Sequence, residues 1–269
     1  MTELFNESGA VGAEPVFTET EVGVGDVPAT TAAFLSWESQ VGEALRVVST
    51  RLRLGLKGRQ FRTLAVTSSV EGDGKTSVAV GLAAAIANAS QRVLLIDADL
   101  RRRDVSAALA IPPAVGLAEW LENTHGTLPV RRIAGLGFHV LSAGLGACRP
   151  ELLGTRRLTQ LLITAQRQFD LVLVDCAPLL PVADSLGLRD QVEGFLLVVR
   201  ARHSPREAVS RATALLGGRR IVGVVMNAYR SRMPMRKADG YSYSYQFGRH
   251  YRDAASSESS PDTRRGRRE

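Results

Sequence analysis

From Arg62 onward, short runs of continuous apolar residues alternate with longer amphipathic stretches. TLAVTSS reads as a strand, KTSVAVGLAAAIANAS as a helix and RVLLID as a second strand, together one βαβ unit. The alternation continues through FHVLSAG, PELLGTRRLTQLLITAQRQ, FDLVLVD, GFLLVVRA, SPREAVSRATALLGG and RIVGVVMNA. Strands that are apolar at nearly every position are buried on both faces. The pattern therefore predicts an α/β fold, a mostly parallel sheet flanked by helices on both faces. Ahead of it, Val41, Leu45, Val48, Leu52 and Leu56 recur three or four residues apart, which predicts an amphipathic helix over about Ser39 to Leu54.

Residues 1–36 mix Gly, Thr, Glu, Ala and Pro without a sustained period, and their thin apolar content predicts a disordered, acidic arm. Periodicity stops again after about Arg230, so residues 231–269 are expected to form a flexible tail. The domain is then read as 37–230. At 269 residues the chain can bury one substantial core, and length alone requires no second domain. No repeat of roughly 20 to 50 residues is visible.

Charge and cysteines narrow the class. The net charge is +7, yet no Lys or Arg precedes Arg46, whereas Glu3, Glu7, Glu14, Glu19, Glu21, Asp26, Glu38 and Glu43 do. The basic runs Arg101-Arg102-Arg103 and RRGRRE could attract anionic partners, but solvated surface charge is the commoner use of such runs, and no nucleic acid is expected. Cys148 and Cys176, the two cysteines, have no CxxC spacing and suggest neither a disulfide framework nor a zinc site. There is no basic n-region followed by an apolar core and no uninterrupted apolar run of roughly 18 residues. The expected location is the cytoplasm, with a membrane reached only through a partner.

Three strand-end motifs carry the chemistry. VEGDGKTSVAV, directly after the first strand and opening a helix, resembles a phosphate loop, although G-x-x-x-x-G-K-[ST] wants Gly where Ser69 stands. Such a loop aims backbone N–H groups and a helix N-terminus at a phosphate. Gly72 and Gly74 would supply the permissive backbone, Lys75 the charge and Thr76 a hydroxyl for Mg²⁺. VLLIDADLRRR ends a strand with Asp97 and Asp99, whose i, i+2 spacing places both carboxylates on one side of a strand. FDLVLVDCAP ends another with Asp175, suited to holding the water shell of Mg²⁺, and Pro178 opposes an immediate helix. In open α/β sheets ligands bind at this carboxyl edge, so the three motifs together point to a nucleoside triphosphate.

These motifs resemble those of the bacterial tyrosine kinases (BY-kinases) of capsule and exopolysaccharide synthesis, P-loop proteins whose loop reads roughly S-x-x-P-G-E-G-K-[ST]. Ser68, Ser69, Gly72, Asp73, Gly74, Lys75 and Thr76 follow that form, with Asp73 for the usual Glu and Val70-Glu71 where proline is usual. DADLRRR resembles the family's second motif and LVLVDCAPLLPVAD its third, with Cys176-Ala177 for the common Thr-Pro. CRPELLGTRRLTQLL also resembles a segment of these kinases, and the likeness runs from about Glu43 to Tyr251. The resemblance implies ATP and Mg²⁺ as cofactors, with Gly72, Asp73, Gly74, Lys75, Thr76, Ser77 and Asn227 binding nucleotide. It implies Thr76, Asp97 and Asp175 as the metal residues, with Lys75, Asp97, Asp99 and Asp175 catalytic and Asp99 as the base.

All five tyrosines fall in the last 41 residues, at Tyr229, Tyr241, Tyr243, Tyr245 and Tyr251. A core would normally use some of them. With the kinase motifs, Tyr241, Tyr243, Tyr245 and Tyr251 read as phosphoacceptors; without them, the segment would read as an aromatic interaction tail. Glu43 and Arg46 match part of the family's E-x-x-R-x-x-R helix, which implies homo-oligomerisation, although Ser49 stands where the next Arg is expected. The resemblance further implies a transmembrane polysaccharide co-polymerase as activator and a cognate tyrosine phosphatase. Two alternatives stay open. One is a dimerising switch ATPase of the partition and division-placement class, whose signature lysine would replace Val70. The other is an inactive nucleotide-binding adaptor of an export complex.

Overall fold

The computed structural model describes residues 15–54, 61–122, 127–180 and 187–229. In chain order these form β1 (Val16–Val22), α1 (Ala29–Leu35), α2 (Gln40–Arg53), β2 (Thr63–Ser68), α3 (Lys75–Ala87), β3 (Val93–Asp97), α4 (Asp104–Ala108) and α5 (Leu117–Leu121). They continue with β4 (Thr127–Ile133), β5 (His139–Leu141), α6 (Arg156–Gln168), β6 (Leu171–Asp175), β7 (Gly194–Arg200), α7 (Arg206–Leu216) and β8 (Ile221–Asn227). The compact unit that contains them ends at Ala228. A second unit, Tyr229–Glu269, lies outside the described residues apart from Tyr229.

The strands form one sheet in the order β1-β4-β5-β3-β6-β2-β7-β8. Every pairing is parallel except β4 with β5. The central strands are the apolar runs of the sequence. β2, β3 and β6 are buried along their whole length because helices cover both faces. Alternate residues enter two cores: Ala65, Leu94 and Ile96 join α5, α6 and α7 on one side, while Leu64, Val66, Val93 and Leu95 join α2, α3 and α4 on the other. α3 is apolar all round and almost entirely buried, as a helix packed between a sheet and an outer layer of α1 and α2 must be.

The α2 helix falls within the predicted span. Ser39 caps it, accepting a 2.9 Å hydrogen bond from the Gly42 amide, and Leu45 and Leu52 face the core. The N-terminal expectation needs correcting. Residues 1–14 lie outside the described residues, but within 15–36, read as a disordered arm, the chain forms β1 and α1. β1 is mostly exposed, so burial of its own side chains does not order it. Its backbone pairs in register with β4, from Val16 opposite Thr127 to Val22 opposite Ile133, and Phe17 meets the edge of Phe169 at 6.2 Å. Its partners lie more than a hundred residues away, beyond the reach of a local apolar count. The domain therefore begins before residue 37. β4 and the short helices α4 and α5 were likewise not anticipated, because TLPVRRI carries two arginines and a proline.

Because β2, β3, β6, β7 and β8 run parallel, the segments after Ser68, Asp97, Asp175, Arg200 and Asn227 all emerge at one edge of the sheet.

Candidate active site

Gly72 and Gly74 both adopt left-handed backbone, at φ 78° and 85°. Any other residue is strained there, and crowding adds a second reason for glycine. A Cβ on Gly74 would lie 2.3 Å from Asn227 Nδ2, and one on Gly72 would lie 3.1 Å from His203 Nε2. Gly74 caps α3, so the helix opens at Lys75 and presents its N-terminus to the loop. Ser69 is buried and needs no positive φ, which accounts for serine in place of the first glycine.

Lys75, Thr76, Asp97, Asp99 and Asp175 converge at this edge, all buried. The β3/β6 register sets Asp97 directly opposite Asp175. Lys75 Nζ lies 2.9 Å from Asp99 Oδ2 and 3.8 Å from Asp175 Oδ1. Neither oxygen accepts a hydrogen bond of good geometry among the described residues, so the contact with the ammonium is ionic. Thr76 Oγ1 donates to Asp175 Oδ2 at 2.6 Å and receives Lys75 Nζ at 3.2 Å. Asp97 accepts from the amides of Val105 at 3.2 Å and Asp99 at 3.3 Å, which fold the chain back after β3.

Crowding buried carboxylates around one ammonium shifts the protonation of Asp97, Asp175 and Lys75. Burial pushes Asp175 up to about 6, against the opposing pull of Lys75 and the hydrogen bond from Thr76. Burial and the facing Asp175 carry Asp97 well above the usual carboxylate range. Burial alone would disfavour the Lys75 charge, but Asp175 and Asp99 overcome it and raise its pKa above the ordinary value. An excess of buried negative charge, with oxygens short of partners, suits a divalent cation. Among the described residues no cluster of three or more His, Cys, Asp or Glu side chains could hold a metal alone. Mg²⁺ asks for less than such a cluster, because it keeps several waters and takes phosphate oxygens beside one or two carboxylates. Thr76, Asp97 and Asp175 fit this role.

The CobQ/CobB/MinD/ParA nucleotide binding domain family matches residues 64–251, a span that includes all three motifs. The kinase domain of Escherichia coli tyrosine kinase ETK superposes with a TM-score of 0.70 at 31% identity, over 78% of this chain and 84% of that one. The tyrosine-protein kinase YwqD of Bacillus subtilis is 30% identical over 189 residues, 69% of this chain and 80% of that protein. The chain belongs to the bacterial tyrosine kinases. Relatives in this kinase family differ in extent. The tyrosine-protein kinase etk of E. coli K12 is 34% identical over 205 residues, which is 75% of this chain but 28% of that protein. The cell division ATPase MinD of Pyrococcus furiosus, at 22% identity and TM-score 0.52, shares the fold alone.

The other residues singled out in this kinase sort as follows. Asp73 is buried, and its carboxylate turns into the protein, toward Ser69, Val70 and Ser204. Ser77 lies half-buried in the first turn of α3. Asn227 ends β8 and donates from Nδ2 to the Asp73 carbonyl at 2.8 Å. Glu71 is 60% exposed and faces Arg102 at 3.6 Å. Glu43 and Arg46 pair with each other on α2; Arg46 also donates to the Trp37 carbonyl at 2.9 Å and lies over the Trp37 ring. Tyr241, Tyr243, Tyr245 and Tyr251 lie outside the described residues.

Two further clusters lie at the same edge, the first outside the three motifs and the second joined to them only through Arg103 of DADLRRR. Arg200 at the end of β7, with His203 and Ser204 in the turn before α7, contacts the phosphate loop. Arg103, itself left-handed at φ 56°, donates to the carbonyls of Gly144 and Gly146, while Glu119 accepts from the amides of Gly116, Leu145 and Gly146. The one available signal was positional, since the turn after GFLLVVR follows a parallel strand and so opens on the ligand edge.

Proposed function

We propose that this kinase binds ATP with Mg²⁺ and transfers its γ-phosphoryl group to tyrosine hydroxyls, including Tyr241, Tyr243, Tyr245 and Tyr251 of its own chain. The observation that carries the reading is the convergence of Lys75, Thr76, Asp97, Asp99 and Asp175 at one buried sheet edge. The phosphate loop, with Gly72, Asp73, Gly74, Ser77 and Asn227, binds the nucleotide, and Lys75 supplies positive charge for the transferring group. Thr76, Asp97 and Asp175 would hold Mg²⁺, which would supply positive charge against the phosphates of the nucleotide. Asp99 orients the acceptor phenol and takes its proton, since a phenol of pKa about 10 is protonated at neutral pH. Positioning supplies most of the rate.

The names of relatives support a role in polysaccharide export. The succinoglycan biosynthesis transport protein ExoP of Rhizobium meliloti is 29% identical over 214 residues, 26% of that protein's length. We extend this to a cytoplasmic kinase that meets a transmembrane co-polymerase through that partner's cytoplasmic tail, self-associates through α2 and is reversed by a tyrosine phosphatase. No described helix is long and apolar enough to cross a membrane.

Incubating the full chain with Mg-ATP, alone and with candidate activator tails, and mapping phosphotyrosine by mass spectrometry tests the reading. Phosphate on Tyr241 to Tyr251 that disappears in Lys75→Met is the expected result. Asp99→Asn is expected to abolish transfer while retaining nucleotide binding, and equal loss of both would remove Asp99 from the role of base. Absence of phosphotyrosine under every condition would overturn the kinase reading in favour of an adaptor.

A further inference from the structure

Three successive carbonyls of the phosphate loop are held from outside it. Glu71 O accepts from His203 Nε2 at 2.8 Å, Gly72 O from Arg200 Nη1 at 3.0 Å and Asp73 O from Asn227 Nδ2 at 2.8 Å. A peptide unit is planar and trans, so its carbonyl and the following N–H point in opposite directions. Fixing these three carbonyls toward β7, β8 and the turn after β7 turns the N–H groups of Gly72, Asp73 and Gly74 the other way. Among the described residues those three amides donate no hydrogen bond. A run of unpaired amides on one side of a glycine-rich turn is the arrangement that cradles an anion.

The Asp73 side chain pins the same turn. It is fully buried; Oδ1 accepts from Ser204 Oγ at 2.6 Å, and Oδ2 from Ser69 Oγ at 3.3 Å and the Val70 amide at 3.5 Å. Ser204 Oγ has one proton, and the 2.6 Å contact to the carboxylate is shorter than its 3.2 Å contact to Arg200 O. The hydroxyl in turn accepts the Arg200 amide at 2.8 Å, which ties the turn to its own strand. Asn227 has its other end occupied too, since Oδ1 accepts from the Ala228 amide at 2.8 Å. We propose that Arg200, His203 and Ser204, together with Asn227, are positioning residues that aim the phosphate-loop amides, with Asp73 as the pin between Ser204 and the loop. Arg200, His203 and Ser204 need not touch the nucleotide to do this. The inference rests on reading this loop as the phosphate site.

Affinities of the full chain for ADP and AMP in the presence of Mg²⁺, measured by titration calorimetry, test the proposal, because a loop that aims amides at the β-phosphate matters to ADP and little to AMP. Ser204→Ala is expected to weaken ADP about tenfold, or about 1.4 kcal/mol, with AMP affinity unchanged and the domain still folded at the temperature of the titration. Ser204→Thr, which keeps the hydroxyl, is expected to restore ADP binding. Arg200→Gln frees the Gly72 carbonyl by a separate route, should Ser204→Ala fail to fold, and is expected to act in the same direction. Lys75→Met serves as the control. If it lowers the preference for ADP over AMP while both brace variants keep the wild-type preference, or lose both nucleotides in parallel, the brace is overturned. If Lys75→Met leaves the preference unaltered, the phosphate-site reading fails and this inference fails with it.

Discussion

Asp175 carries its charge at a cost to the nucleotide-free fold, because burial outweighs the help it receives from Lys75 and Thr76. Its pKa of about 6 lies above the unfolded value of 3.8, so between those limits the folded chain binds more protons than the unfolded one. The stability contributed by this group therefore falls as pH rises through that window and is lowest above it. Asp97 acts in the same direction, while Lys75 stays charged throughout. We predict that metal-free protein melts higher at pH about 5.5 than at about 7.5, and that Asp175→Asn flattens this dependence while raising the melting temperature at the higher pH. The same variant is expected to lose the thermal shift that Mg-ATP gives the wild type. At this scale the sequence placed Lys75 and Thr76 at the start of a helix and the three aspartates at or just past strand ends, because those positions follow from local pattern. It was silent about Ser204 and Arg200, whose roles depend on a contact with a loop about 130 residues earlier.

Among the elements, the α1–α2 corner shows how tightly the outer helices are docked. A Cβ on Gly42 would lie 2.1 Å from the Ser36 carbonyl, a backbone atom that cannot move aside cheaply. Gly42→Ala should therefore destabilise the domain by about 1–3 kcal/mol despite adding one methyl group to a helix. Chemical denaturation of the two proteins would measure it, and a neutral effect would mean that the corner is not packed as described. The α2 helix itself was legible from the spacing of Val41, Leu45, Val48 and Leu52, since an amphipathic stripe needs only local information. β1 was not. Its residues are largely exposed, and its order comes from main-chain pairing with β4, which leaves no mark on apolar content. The ligand-edge turns fall between these cases: their strands could be read from the sequence, their mutual contacts could not.

For the whole molecule, association is the property that Glu43 and Arg46 were expected to govern. In the single chain Arg46 is already engaged with Glu43, with the Trp37 carbonyl and with the Trp37 ring, and so braces the turn between α1 and α2. Arg46→Ala should accordingly lower the melting temperature even at concentrations where the chain is monomeric. Light scattering alongside thermal denaturation separates this from a loss confined to the oligomer, and a monomer of unchanged stability would refute the internal role. The order of the strands and the pairing of β3 with β6 set Asp97 opposite Asp175. The sequence by itself determined the α/β class, the position of the three motifs along the chain and the family, because strand burial, helix periodicity and motif spacing are local. Tertiary structure alone decided the inclusion of β1 in the sheet, the convergence of Lys75 with three buried carboxylates, and the outside grip on the carbonyls of VEGDGKTSVAV. Each of these joins residues far apart in the chain, and only the parallel stacking of strands brings them to one edge.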